Sequence, residues 1–370
     1  MRDHKSIAYF ISPHGYGHAA RAAGVMEAMY EVDPAVRFEI FTQVPRWFFD
    51  HSLSGNFGYH SLLTDIGLVQ STPLHANLKE TVRRLNHFLP FDPSRMRELA
   101  NLVGNLECAL IICDIAPMGI VVAKQAGIPS LLVENFTWDW IYEGYVKYNQ
   151  RIGEHIDYLK GLFEAADFHI QTEPVTCRRT VNLTTFPVSR KVKCPAHEIR
   201  HKLGLPKSSK AVMITMGGTE KDYSFLEQIS QKRDIHFVIP GASKRVEIHA
   251  NLVLLPHRSD YFHPDLVNAC DGVIGKVGYS TVAEIYYAGI PFGYIARSRF
   301  RESQTLVSFI KNQMRGLPIG EDAFHDGSWL SSLHDLLALP RIYRKEPQGA
   351  EQIAHFISGL LGPSPHDPCL

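Results

Sequence analysis

The sequence predicts an α/β protein made of two doubly wound, Rossmann-like domains. Three observations predict it. The chain has 370 residues, more than one ordinary core accommodates, so two domains of roughly 150 to 200 residues each are expected. Through the first half, short continuous apolar runs alternate with helical periodicities, the pattern of a parallel sheet covered by helices. After a proline-rich interruption the same alternation starts again.

The first apolar run, 7–11, is followed by Ser12 and Pro13 and reads as a strand buried on both faces. From His18 onward, Ala19, Ala22, Ala23, Met26 and Met29 recur at helical spacing until Pro34 ends the segment. Residues 37–41 read as a strand, 75–89 and 93–106 as helices, and 109–113 as a buried strand ending at Asp114. A helix over 117–126, a strand over 130–133 and helical stretches to about 165 complete a first domain set at 1–185. Pro174, Pro187, Pro195 and Pro206 punctuate an irregular, basic stretch, in which the linker is placed at 186–209. Strands over 211–215, 236–239, 252–255, 272–274 and 292–295 build the second domain, 210–345, and 346–370 reads as a C-terminal helix and frayed tail. The economical arrangement is two such domains facing each other across a cleft.

Composition narrows the function classes. Hydrophobic residues make up 45% and charged residues 21%, as in folded globular proteins. Lysine plus arginine total 38 and aspartate plus glutamate total 38, so no net field recruits a nucleic acid or an anionic membrane. The six cysteines lack CxxC spacing and read as reduced thiols of a cytoplasmic protein. The apolar run 7–11 is too short for a signal peptide or a membrane span. The sequence says nothing of oligomeric state.

Ligands of open α/β sheets bind beyond the carboxyl ends of the strands, so the loops there carry the candidate chemistry. In the loop Gly15-Tyr-Gly17-His18-Ala-Ala-Arg21, two glycines permit a tight turn and deliver His18 to the first helical turn. An imidazole there suits a general base, although His18 also reads as a residue that merely caps its helix. Asp114, at the end of a strand able to lie beside the first, either orients His18 or caps the helix that begins near Pro117. In the second half, Gly217, Gly218 and Thr219 follow a strand and offer amides to phosphate oxygens. Gly275-Lys276-Val-Gly278-Tyr-Ser280-Thr281 opens a helix in which Glu284 occupies the second turn, where an acid accepts hydrogen bonds from a ribose diol or is an ordinary surface glutamate. GxxxxGK[ST], HExxH, paired CxxC and EF-hand patterns are absent, and the 19 histidines show no metal-ligand spacing, so no metal site is predicted.

These residues resemble a known family. Gly278-Tyr-Ser280-Thr281-Val-Ala-Glu284 followed by Ala288-Gly-Ile-Pro291 is similar to the donor signature of GT-B glycosyltransferases, among them the plant UDP-glycosyltransferases and MurG. The chain also resembles the N-terminal, glycosyltransferase-like half of plant-type L-arabinokinases. That likeness rests on Gly15 to Arg21, on Asn135-Phe-Thr-Trp-Asp-Trp140-Ile-Tyr, and on Gly275 to Thr281.

The resemblance implies a GT-B fold, a glycosyl-transferring enzyme and a nucleotide-sugar co-substrate, expected to be a UDP-sugar, with a small hydroxyl acceptor and no other cofactor. It implies His18 as base, Asp114 as its partner, and Gly278, Ser280, Thr281 and Glu284 at the donor. Lys276 stands where the plant enzymes have a histidine. His257 lies in the region of their uracil-stacking tryptophan, and Glu302 and Gln304 replace their acidic-Gln sugar contact. A nucleotide-sugar hydrolase of the PseG type, whose GxGHxxR loop is also similar and includes Arg21, is the alternative enzyme. A nucleotide-sugar-binding module without catalysis is the alternative outside enzymes. Trp138, Trp140 and Tyr142 either line the acceptor side or pack in the core between the domains.

Overall fold

The structure is a computed structural model that describes residues 5–217 and 223–362. The chain divides into two compact units. The first comprises Met1–Ser71, Ala76–Arg190 and Glu346–Leu370, and the second Thr72–His75 and Lys191–Lys345.

The first unit carries a seven-stranded sheet of β1 (Ser6–Ile11), β2 (Arg37–Thr42), β3 (Phe57–Ser61), β4 (Cys108–Asp114), β5 (Ser130–Glu134), β6 (Phe168–Thr172) and β7 (Leu183–Thr185). Its order is β3-β2-β1-β4-β5-β6-β7, with every neighbouring pair parallel. Helices on both faces of such a sheet bury β1 over its whole length, which is why its sequence is a continuous apolar run. The helix Gly17–Val32 follows, buries Ala19, Ala22, Ala23, Met26 and Met29, and stops at Asp33 before Pro34.

The second unit repeats the plan with β8 (Lys210–Thr215), β9 (Ile235–Ser243), β10 (Glu247–His249), β11 (Leu252–Pro256), β12 (Gly272–Lys276), β13 (Phe292–Ile295) and β14 (Gly316–Pro318). The order is β10-β11-β9-β8-β12-β13-β14, and among the described residues only the β10–β11 pairing is antiparallel. Its core gathers Ile214, Phe225, Phe237, Ile274, Phe324 and Trp329.

Several sequence expectations change. The C-terminal helix, Gly349–Leu361, is part of the first unit. Its start bonds back through Gly349 N to Pro187 O at 3.2 Å, and its end receives the Lys5 ammonium at the carbonyls of Leu361 and Gly362, 2.9 and 3.0 Å away, where the helix dipole favours a cation. The stretch 186–209 is not one linker. Residues to Arg190 group with the first unit, and the remainder, with the helix Ala196–Lys202, groups with the second. The helix expected from 75 begins at Leu78, because the Asn77 side chain accepts the amide of Glu80 and sets the N-cap there. Strands β3, β6, β7, β10 and β14 went unpredicted; they are short or carry polar residues, as sheet margins do.

Candidate active site

In each sheet the strand order reverses beside the first strand, and in open sheets of this kind ligands bind at the carboxyl edge beside such a reversal. In the first unit the reversal lies between β1 and β4, paired so that Ile11 stands beside Asp114. Gly15, at φ +71°, makes the turn out of β1 that a side chain resists. The helix then starts at Gly17, with Tyr16 as an N-cap that makes no side-chain cap bond. His18 does not serve as the cap; its ring turns to β4, where Nδ1 lies 2.8 Å from Asp114 Oδ1.

Asp114 is not a cap either, since Ala116 occupies that position of the helix Pro117–Ala126. The chain reverses just after it. Ile115 holds φ +43° and bridges back to Ile11, a strained state for a β-branched residue, of order 1–3 kcal/mol. Both oxygens of Asp114 are committed: Arg21 donates from Nη2 to Oδ1 at 2.6 Å and from Nε to Oδ2 at 2.7 Å. Burial pushes the Asp114 carboxyl up, but the Arg21 charge and the bonds from Arg21 and His18 outweigh it and hold the group below the ordinary carboxylate range. A carboxylate so held needs a proton between itself and Nδ1, which assigns His18 the Nδ1–H tautomer and leaves Nε2 as the basic nitrogen.

A second buried acid supports the same loop. Asp65 accepts from Ser12 Oγ at 3.0 Å and from Trp138 Nε1 at 3.3 Å, and burial raises it to about 7 despite those bonds. Trp138 meets the ring of His14 edge-on at 5.0 Å and lies 6.3 Å from that of His18. Tyr142 stacks on Trp138 and donates to Gly67 O at 2.7 Å. Trp138 and Tyr142 are therefore core residues of the first unit, while Trp140 is half-buried.

In the second unit the reversal lies between β8 and β12, with Gly275 beside Thr215. A Cβ on Gly275 would stand 2.3 Å from Thr215 O, so only glycine lets these strands approach here. Gly217 follows β8 at φ +73°, and the Lys276 ammonium reaches the space a side chain there would fill, 3.3 Å away. Burial, then the Arg297 charge, depress Lys276 to about 7, with Glu302 acting against them. Gly278 caps the helix Tyr279–Ala288 without a side chain, ahead of the half-buried Ser280 and Thr281. Arg297, beyond β13, lies 3.5 Å over the Phe300 ring and 3.6 Å from Glu302.

Of the remaining candidates, Glu284 is buried rather than a surface residue, and its Oε2 meets His263 Nδ1 at 2.6 Å. His257 is half-buried beyond β11 and Gln304 is exposed. Gly218 and Thr219 lie outside the described residues. Sequence reasoning missed Asp65 and the role of Arg21 at Asp114, while Arg297 was legible only as part of a basic spot, Arg297-Ser-Arg299-Phe-Arg301, able to meet a small phosphate. Of the two missed, only Arg21 left a signal, standing one helical turn from His18. No described helix is long and apolar enough to cross a membrane.

Two Rossmann-type sheets, each with candidate residues at its reversal point, define a GT-B glycosyltransferase architecture. Solved structures of that class are similar over nearly the whole chain. The spinosyn forosaminyltransferase SpnP is 15% identical, covering 98% of this chain and 96% of that one, at a TM-score of 0.61. Medicago truncatula UGT71G1, complexed with UDP-glucose, is 11% identical over 95% and 94% at 0.59, and Acinetobacter baumannii MurG is 12% identical over 95% and 99% at 0.54. The chain belongs to glycosyl transferase family 1, whose model matches residues 5–316, and is thus a sugar-transferring enzyme. It is also 25% identical over 364 residues to the L-arabinokinase of Arabidopsis thaliana, covering 96% of this chain but 34% of that protein, about a third of its length.

Proposed function

We propose that the protein transfers a sugar from a UDP-sugar to a small hydroxyl acceptor with inversion, and that His18 is the general base. The observation that carries this is the buried His18–Asp114 pair at the β1/β4 reversal. His18 Nε2 takes the acceptor O–H proton, and the acceptor oxygen forms its bond to the anomeric carbon. The bond from that carbon to the diphosphate breaks on the opposite face, and UDP leaves with the electron pair. Asp114 stabilises the imidazolium that results.

The second unit is assigned the donor. Gly217, Gly275, Lys276, Gly278, Ser280 and Thr281 surround the helix start at its reversal point, and a helix N-terminus with a nearby ammonium suits a diphosphate without a metal ion. Glu284 and Glu302 are assigned to ribose and sugar hydroxyls, with His257 and Gln304 at the outer positions. A UDP donor is supported by the relative solved with UDP-glucose. The described cysteines are free thiols, three of them buried, in keeping with a cytoplasmic site of action.

The test incubates the protein with UDP-sugars, with and without simple alcohol and sugar acceptors, while UDP, GDP, CMP and dTDP are compared by thermal shift. Acceptor-dependent turnover abolished by His18→Ala is expected. Rapid His18-dependent breakdown without acceptor would make the protein a hydrolase. Binding without turnover under any acceptor would make it a sensor. No thermal shift from any nucleotide or nucleotide-sugar would overturn the reading altogether.

A further inference from the structure

Arg21 is 1% exposed and Asp114 0%, and charges removed this far from water persist only when paired. The guanidinium uses its planar fork. Nε and Nη2 donate to the two oxygens of Asp114 at 2.7 and 2.6 Å, while Nη1 donates to Asn135 Oδ1 at 2.6 Å and toward Thr172 Oγ1 at 3.4 Å. Asn135 lies just beyond β5 and Thr172 ends β6, so the arginine of one helix ties together the carboxyl ends of three strands. His18 and Arg21 occupy adjacent turns of that helix, and Oδ1 of Asp114 accepts from both.

Resting on the reading of His18 as base, we propose that Arg21 is the positioning residue of this site. It pins both oxygens of Asp114 so that His18 is presented through Nδ1–H with Nε2 outward, and it counters the Asp114 charge that otherwise favours the imidazolium. Lysine cannot do this, because an ammonium offers no planar pair of donors to a carboxylate. The arrangement also accounts for Asn135, which begins the Asn-Phe-Thr-Trp segment and holds the far side of the guanidinium. Among the described residues, Asp65, from the loop after β3, and Tyr9 and Cys113, on β1 and β4, also feel the Asp114 charge. Burial, then the Asp114 charge, keep Tyr9 and Cys113 protonated, and the Arg21 charge is the largest influence set against the burial of Asp114.

The experiment compares wild type with Arg21→Met and Arg21→Lys, labelled with 15N-histidine, and follows UDP release from UDP-glucose across pH in the presence of an alcohol or sugar acceptor that supports turnover. In Arg21→Met the His18 nitrogen shifts are expected to leave the single Nδ1–H pattern, and the acid limb of the rate profile to move to higher pH. The turnover number should fall roughly 10- to 100-fold, as for other partners that orient a functional imidazole, with KM for UDP-glucose unchanged. Arg21→Lys should keep the limb near the wild-type position while losing turnover. Wild-type shifts, limb and turnover in a folded Arg21→Met protein would overturn the proposal. Should that variant not fold, Asn135→Ala removes only the far anchor and is expected to give the same changes at smaller amplitude; wild-type behaviour there overturns it equally. Failure of the base assignment would show separately, as turnover that survives His18→Ala while the histidine shifts still respond to Arg21→Met.

Discussion

The two sheets share the order of their parallel strands around the first one, the second adding the antiparallel edge strand β10, and each brings its candidate residues to the place where that order reverses, but the two places are finished in opposite ways. At β1/β4 the side chains are tightly tied: His18, Arg21 and Asp114 are buried and joined by bonds of 2.6–2.8 Å. At β8/β12 glycines line the gap and a half-buried lysine stands over it. Proton transfer needs one fixed nitrogen in a dry setting, whereas holding a diphosphate needs open backbone amides and one cation. The same scaffold meets either need according to which side chains its loops supply.

The widest separation between the two places is expected from His18→Ala. Turnover should drop about 10²–10⁴-fold, while the thermal shift produced by UDP stays at the wild-type value. Equal loss of both would abolish the division of labour.

The dryness of the first place is tested by Asp65. Its carboxyl sits near 7 in the folded protein, above its unfolded value of roughly 4. The folded chain therefore holds a proton that the unfolded chain releases, and this contribution to stability is fully present below about 4 and lost as pH rises to about 7, by at most about 1.4 kcal/mol per pH unit. Asp114, held low, acts with the opposite sign and weakens the fold as pH falls. Urea unfolding at pH 5 and pH 8 should show a smaller fall with rising pH in Asp65→Asn than in wild type; identical slopes would place Asp65 in contact with water.

In the second unit, Gly275→Ala drives a methyl group into Thr215 O. Overpacking of this kind costs roughly 1–3 kcal/mol. Weaker UDP binding with an unchanged His18 nitrogen spectrum is expected, and a disturbed spectrum would show that the damage reaches the first unit. The smallest change should come from Lys276→Met, about tenfold in UDP affinity by calorimetry, within the range for a hydrogen bond to a charged group. Because Lys276 sits near 7, wild-type affinity should decline as pH rises from 7 to 9, and the variant should lack that decline.

The sequence showed the central strands plainly, because β1, β4 and β8 are buried over nearly their whole length and carry continuous apolar runs. Marginal strands such as β3, Phe-Gly-Tyr-His-Ser, are only half-buried and carry no such run. At the site, a glycine turn leading to a histidine and an aspartate closing an apolar strand were both visible, and their adjacency was one of two open readings. The Arg21 clamp was hidden, since its partners Asp114, Asn135 and Thr172 lie on three separate strand ends whose order along the sheet had to be known first. Glu284 gave no sign of its histidine partner, because His263 belongs to another helix.

The return of Gly349–Leu361 to the first unit bears on how the molecule is made. A ribosome delivers residues in order, and domains generally fold as they emerge. The sheet that begins at Ser6 nevertheless lacks one of its helices until the whole of Lys191–Lys345 has been synthesised. The Lys5 ammonium finds its carbonyl partners 356 and 357 residues further along the chain. The first unit to start is therefore the last to be completed, and a nascent chain halted near Lys345 would display a sheet with one flank bare.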